Sequence, residues 1–381
     1  MIGIAVPAEV ESGEPRVGAS PDTVKKLIAL GATVTVASGA GLASGITDED
    51  YAQAGATIAP SNAEALAGAA VVLKVRRPRA DELSAYPRGA LVLAIMDPYG
   101  QHEALAALAQ AGVSAFAMEL MPRITRAQVM DVLSSQANLA GYRAVIDASA
   151  EFGRAFPMMM TAAGTVPAAK VFVMGAGVAG LQAIATARRL GAVVTATDVR
   201  PAAKEQVASL GAKFVAVEDE EFKQAETSAG YAKPMSAEYQ AKQAALVAEH
   251  IKKQDIVITT ALIPGRPAPR LVSAEMVASL KPGSVLVDLA VERGGNVEGA
   301  RPGEVVVTPG GVKIIGHLNV PGRLAASASS LYARNLFAFV ETLVDKKDKV
   351  LAPNWEDELV KATLLTKDGA VVHPSFQPQP A

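Results

Sequence analysis

Short apolar runs recur along the first 120 residues, at Ile2–Val6, Thr33–Ala37, Ala70–Val75, Ala90–Ile95 and Ser114–Ala117. Each is strand-length, and helical patterns lie between them near Pro21–Leu30, Asn62–Ala67 and His102–Ala111. The tripeptides LGA and AGA close helices just ahead of the next strand. Strands with little polar alternation are covered on both faces, so the pattern predicts a parallel sheet with helices on either side. A polar stretch, MPRITRAQVMDVLSSQANLAGYRAVI, follows at residues 121–146. Thr125 with Gln128 three positions on fits a capping box, and good helix formers continue to about Glu151, ahead of a stop at Gly153.

From Val166 a second series begins, with strands predicted at Lys170–Met174, Val193–Thr197, Lys213–Val217, Asp255–Thr260, Ser284–Leu289 and Val312–Ile315. Helical stretches such as Leu181–Leu190 and Ala237–Lys252 separate them, which makes six strands in doubly wound order. A helical pattern resumes from Ser327 through Val344. The simplest packing returns this helix to the first domain, so that it and the Thr125 helix form a double crossing between domains. The expected fold is α/β, with two Rossmann-like, doubly wound parallel-sheet domains joined by long helices. Residues 1–125 plus 327–381 would form the N-terminal domain, and 126–326 the second domain with its connecting helix. The end of the chain, Lys346–Ala381, holds DKKDK and HPSFQPQPA and is expected to be a loosely held terminus.

Composition narrows the function classes. The formal charge of −2 leaves no electrostatic footprint for nucleic acid and no polybasic membrane anchor. Apolar runs such as Gly89–Met96 are far shorter than a membrane span, and the start MIGIAVPAEV carries no secretion signal, so a cytoplasmic chain is expected. Zero cysteines exclude disulfides and thiolate chemistry. His102, His250, His317 and His373 lie far apart without ligand spacing, and no metal site is expected.

The stretch KVFVMGAGVAGLQAIATARRLGAVVTATDVR places Gly175, Gly177 and Gly180 as G-x-G-x-x-G between a strand and a helix. The first glycine allows the tight turn, the second the approach of a pyrophosphate, and the third close packing of helix on strand. Asp198 ends the next strand, where a carboxylate can accept both ribose hydroxyls. Arg200 could instead accommodate a 2′-phosphate, but Asp198 holds the strand-end position and the site reads as NAD(H). The plainer alternative is turn punctuation in an Ala/Gly-rich chain.

Oxidation of an alcohol or amine moves a proton as well as a hydride, and so needs a His, Lys or carboxylate beside the substrate. Arg16 in EPRVGASP, Lys74 in VLKVRRP and Glu292 in DLAVERGGN are candidates, and none is a His. The 121–146 stretch instead offers Arg123, Arg126, Gln128, Asp131, Ser134 and Ser135, a binding set more than a catalytic one. On the predicted helix Gln128, Asp131 and Ser134 share one face. A capping role for Gln128, a solvent-facing Ser134 and an ion pair for Arg123 and Asp131 are the plainer readings.

Together AVPAEVESGEPRVGASPDTVKKL, VLKVRRP, AFAMELMPRITRAQVMDVLSSQANLAGYRAV, the glycine stretch, TTALIPGRPAP, DLAVERGGN and GHLNVPGR resemble the NAD(H)-binding component of proton-translocating nicotinamide nucleotide transhydrogenase, from about residue 2 to 344. That family shares its fold with alanine dehydrogenase. The resemblance implies that Arg123, Gln128, Asp131 and Ser134 reach the nicotinamide, and that Gly175, Gly177, Val178, Gly180, Asp198, Val199 and Arg200 bind the rest of the nucleotide. EDEEFKQAETSAGYAKPM is similar to the family's mobile loop, with Gly230 and Tyr231 closing over the nucleotide, and Gln243 and Leu262 lie near it. Implied further are direct hydride transfer from NADH to NADP⁺ on a separate NADP(H)-binding domain, coupling to proton translocation by a membrane-spanning partner, and a homodimer held peripherally at the inner face of the plasma membrane. The catalytic His of alanine dehydrogenase falls in LAIMDPYGQH, where AIMDPYG has none although His102 follows; its catalytic Asp falls at Glu292, and its substrate-binding Arg and Lys match Arg16 and Lys74. The rival readings are an alanine-dehydrogenase-like amino acid oxidoreductase and a catalytically silent NAD-binding module.

Overall fold

Six parallel strands form the first sheet of the computed structural model, which describes residues 2–224 and 235–377. They are β1 (Ile2–Val6), β2 (Ala32–Ala37), β3 (Thr57–Ala59), β4 (Val71–Arg76), β5 (Leu91–Ile95) and β6 (Ser114–Ala117), in the order β3-β2-β1-β4-β5-β6. Between them run α1 (Pro21–Ala29), α2 (Asp48–Gln53), α3 (Asn62–Leu66) and α4 (His102–Gln110). Alternate residues enter opposite cores: Val71, Leu73 and Val75 of β4 pack with Ile4 and Val6, whereas Val72 packs with Val92 and Ala94. Burial on both faces is why these strands read as unbroken apolar runs. β3 and α2 are absent from the sequence reading; β3 has three residues, and α2, DEDYAQ, buries only Tyr51 and so shows no apolar period.

The expected helix from Thr125 is broken in two. Thr125–Met130 winds as a 3-10 helix with Ile124 at its N-cap, and the Thr125/Gln128 capping box does not form. The backbone extends at Asp131 (φ −74°, ψ 92°) before α5 (Val132–Glu151) begins. Asp131 caps α5: its Oδ1 accepts the Ser134 N–H at 2.9 Å and its Oδ2 accepts the Ser134 hydroxyl. A carboxylate cap with a partner three residues on outcompetes the Thr125 start. Gln128 and Asp131 therefore do not share a helix face with Ser134.

After the hairpin β7 (Met159–Thr161) and β8 (Gly164–Val166) comes the second sheet: β9 (Lys170–Met174), β10 (Val193–Thr197), β11 (Lys213–Phe214), β12 (Ile256–Thr259), β13 (Val285–Asp288), β14 (Val305–Val307) and β15 (Lys313–Ile315). Its order is β11-β10-β9-β12-β13-β15-β14. Six strands are parallel and β14, absent from the sequence reading, is an antiparallel edge on β15. The connecting helices are α6 (Val178–Arg189), α7 (Ala203–Ser209), α8 (Glu220–Lys223), α9 (Ala237–Ile251) and α10 (Ala274–Ala278), followed by α11 (Ala325–Leu343).

The chain divides into two units, Met1–Gln136 with Pro321–Ala381, and Ala137–Val320. The sequence-based boundaries at 125/126 and 326/327 differ from these divisions. The first turn of α5 stays with the first unit because Ser135 and Gln136 bond to Asn335, Ala328 and Arg16 there. The chain re-enters that unit ahead of α11, so α11 itself makes no crossing. No helix among the described residues is long and apolar enough to cross a membrane.

The described residues of the tail are docked on the first unit, contrary to the expectation of a loose terminus. Inside its polar frame α12 (Glu358–Thr363) buries Leu359, Val360 and Thr363. Trp355 stacks on Phe116 of β6, with ring centroids 6.4 Å apart. The Thr366 hydroxyl donates to the Val113 carbonyl (2.8 Å) and accepts the Ala115 N–H (3.1 Å), covering the open edge of β6. Compositional polarity hid the few apolar residues that dock the segment.

Candidate functional site

In the second unit the strand order reverses between β9 and β12, the switch point at whose carboxyl-end crevice sheets of this kind bind nucleotides. Gly175 follows β9 with φ +105°, and Thr260 after β12 donates its hydroxyl to the Gly175 carbonyl at 3.1 Å. A Cβ at Gly180 would lie 1.8 Å from that same carbonyl oxygen, so only glycine lets α6 pack this close. At Gly177, the N-cap of α6, a Cβ would meet nothing within 4 Å. Two crowded glycines thus bracket one that faces open space at an uncapped helix start, a cradle that fits a pyrophosphate.

Asp198, just past β10, is turned toward this loop. Its carboxylate accepts the N–H groups of Ala176 (2.7 Å) and Arg200 (2.9 Å) and the Arg200 guanidinium (3.0 and 3.2 Å). Arg200 also donates to the Ala176 carbonyl. Its charge is thereby committed to the carboxylate and the loop. Val178, Val199 and Leu262 are exposed around the crevice. Gln243 bridges the Val217 N–H (2.9 Å) and the Thr197 hydroxyl (3.1 Å), a scaffold role at the rim. Gly230 and Tyr231 lie outside the described residues.

Sequence reasoning passed over Asn296. Fully buried, it accepts the Ala261 N–H (3.1 Å) and donates to the carbonyls of Ala261 (2.9 Å) and Pro269 (2.8 Å), shaping the loop that presents Leu262. Its only signal was its place at the end of DLAVERGGN. Glu292 from the same stretch is exposed and accepts the Asn319 N–H at 2.8 Å.

In the first unit Arg123 and Gln128 are exposed, while Asp131 and Ser134 form the cap of α5. Arg126 donates to Asp357 (2.9 Å) and Glu358 (3.3 Å) of the tail. Elsewhere in this unit lies a buried ionic cluster. Arg16 donates to both oxygens of Glu14 (2.7 and 2.6 Å) and to Gln136 (2.8 Å), and Arg76 reaches Glu14 at 2.7 Å. Lys74, inside β4, lies 3.0 Å from Glu82 and 3.5 Å from Glu9. Burial drives the Glu9 carboxyl above the usual range despite Lys74. At Glu14 burial pushes the same way, but Arg16 and Arg76 prevail and hold it low. At the carboxyl end of β5, Met96 is fully buried and Asp97 adopts φ +45°. The Glu119 carboxylate accepts both of their N–H groups, and burial raises its pKa.

Two family models match, alanine dehydrogenase/PNT N-terminal domain over residues 5–140 and C-terminal domain over 144–374. The chain belongs to the alanine dehydrogenase/PNT family. It is 56% identical to an NAD(P) transhydrogenase subunit alpha chain of Rhodospirillum rubrum, covering 99% of this chain and 100% of that one. It superimposes on the crystal structure of a transhydrogenase from Sinorhizobium meliloti with a TM-score of 0.89 and 66% identity, over 98% of this chain and 100% of that one. An L-alanine dehydrogenase structure matches with a TM-score of 0.82 but 26% identity, over 98% of each chain. Within the family this chain therefore sits far nearer the transhydrogenases.

Proposed function

We propose that this chain is the NAD(H)-binding component of a transhydrogenase, working with a separate NADP(H)-binding domain and a membrane-spanning, proton-translocating partner. One observation carries the reading against amino acid oxidation. Each cation that would hold an amino acid, Arg16 and Lys74, is closed by internal carboxylates, and the stretch that ends β5, AIMDPYG, carries no imidazole. NADH, when bound, supplies a hydride that passes from C4 of one nicotinamide to C4 of the other, with no oxygen or nitrogen to protonate. The side chains then have only to bind, orient and exclude water.

In this reading Gly177 and the start of α6 receive the pyrophosphate, Asp198 accepts the ribose hydroxyls, and Val178, Val199, Arg200, Gln243 and Leu262 surround them. Arg123, Gln128, Asp131 and Ser134 orient the nicotinamide, and Gly230 and Tyr231 close over the nucleotide. A homodimer is part of the proposal; the isolated hairpin β7–β8, with Met158 and Met160 61% and 79% exposed, supports a covering partner there. The partners would hold the chain at the inner face of the plasma membrane.

The test is stopped-flow mixing of the NADH-loaded chain with an NADP⁺-loaded NADP(H)-binding domain, using a nucleotide analogue with a shifted absorption band. Rapid transfer is expected. Oxidation of L-alanine by the chain alone would favour the amino acid oxidoreductase instead, and binding without any transfer would favour a silent module.

A further inference from the structure

A buried amide ties together the two backbone segments that carry the polar groups of the first unit. Asn335 of α11 is 7% exposed. Its Nδ2 donates to the Val129 carbonyl at 2.8 Å, and its Oδ1 accepts the Ser135 hydroxyl at 2.7 Å. Val129 lies at the end of the 3-10 segment and Ser135 in the first turn of α5, so the two contacts straddle the bend at Asp131. Carbonyls at helix ends lack internal partners, and the amide satisfies one of them here. Two turns back along α11, the Ala328 carbonyl accepts Gln136 Nε2 at 3.1 Å, a second pin on the same stretch.

The neighbours of Asn335 on α11, Tyr332, Leu336 and Phe339, are fully buried. If burial alone mattered, an apolar residue would serve there with no desolvation cost. What an amide adds is one donor and one acceptor in fixed directions, which rigidifies what it touches. Gln128 lies just before the pinned bend, Asp131 at it and Ser134 just beyond.

We propose that Asn335 is a positioning residue for hydride transfer: it fixes the bend at Asp131 and so sets the placement of Gln128, Asp131 and Ser134. This rests on the assignment of those three side chains to the nicotinamide. Transfer between two rings depends steeply on alignment, and a displacement near 1 Å costs about 100-fold in rate.

The experiment compares Asn335→Leu, which keeps the branched heavy-atom shape and loses both hydrogen-bonding groups, with Ser135→Ala, which removes one of the two Asn335 contacts together with the hydroxyl's bonds to the Val132 carbonyl and Gln136. For each, single-turnover transfer with the NADP(H)-binding partner, the NADH dissociation constant and the urea midpoint are measured. Gln128→Ala, Asp131→Asn and Ser134→Ala run in parallel. Expected are a rate loss of ~10–100-fold in Asn335→Leu and a smaller loss in Ser135→Ala. NADH affinity should change by less than about 3-fold, about 0.6 kcal/mol. Wild-type rates in both positioning variants, with slow transfer in the three parallel ones, would overturn the role of Asn335. Wild-type rates in the three parallel variants would instead remove the nicotinamide assignment beneath it. Rate, affinity and stability falling together would reduce Asn335 to ordinary packing and also overturn the proposal.

Discussion

Replacing Gly177 and Gly180 separately by alanine should split nucleotide binding from stability. At Gly180 the new Cβ sits 1.8 Å from the Gly175 oxygen and 2.8 Å from its carbon, where ordinary contact begins at 3.4 Å. Both atoms are backbone, so β9 and α6 must move apart. Overpacking of this kind costs about 1–3 kcal/mol, and a rigid backbone obstacle places Gly180→Ala at the upper end. At Gly177 the backbone (φ −74°, ψ −168°) suits alanine and the Cβ meets nothing within 4 Å. Stability there should stay level or rise by about 0.4–1 kcal/mol, through the less flexible unfolded chain. The methyl group would nevertheless occupy the space proposed for the pyrophosphate. A loss of ~10–100-fold in NADH affinity follows, about 1.4–2.7 kcal/mol. Thermal melting by circular dichroism gives the first quantity and NADH fluorescence titration the second. Unchanged NADH affinity in Gly177→Ala would refute the cradle, and an unchanged melt in Gly180→Ala would refute the close-packing argument.

Asp198→Ser should remove the carboxylate and with it the ion pair to Arg200, raising affinity for NADP(H) relative to NAD(H); parallel fluorescence titrations check this, and an unchanged ratio would contradict the selectivity assigned to Asp198. Lys74→Met strands Glu9 and Glu82 without their buried cation and should cost about 3–5 kcal/mol. Equilibrium urea unfolding followed by Trp355, the single tryptophan and a reporter of the first unit, measures it. The Arg126 guanidinium holds the Asp357 carboxyl below the usual range. A lowered folded pKa means the contribution of that pair is present above the ordinary carboxylate pKa and lost as pH falls through the lowered one. The acid transition of Trp355 emission should therefore move up toward about pH 4 in Arg126→Gln.

What the sequence made legible follows from which signals are local. Both sheets were readable because strands buried on two faces, such as Leu91–Ile95 and Ile256–Thr259, cannot alternate with polar residues, and because LGA and AGA mark helix ends. The glycine motif was readable because its demands are local to one loop: Gly175 turns at φ +105°, Gly180 packs against the Gly175 carbonyl, and Gly177 leaves open space between them. The break at Asp131 was not: Thr125 and Asp131 both look like caps, and the Asp131–Ser134 cap prevails with the support of tertiary bonds from Asn335 to Val129 and Ser135. The docked tail was hidden for a similar reason. Leu359, Val360 and Leu365 are few among charged residues, and their value comes from the edge of β6, some 240 residues earlier. The closure of Arg16 and Lys74 by Glu14, Glu9 and Glu82 likewise depends on burial, which residue identity alone does not disclose.

The central claim is that a hydride moves directly between two nicotinamides with no protonating side chain. The most direct measurement loads this chain with NADH deuterated at the transferring C4 position and supplies NADP⁺ on the NADP(H)-binding partner. The account predicts that the isolated NADPH carries the full deuterium label, with a single-turnover rate flat from pH 6 to 9. Label lost to solvent, or a rate that titrates with an enzyme group across that range, would contradict it.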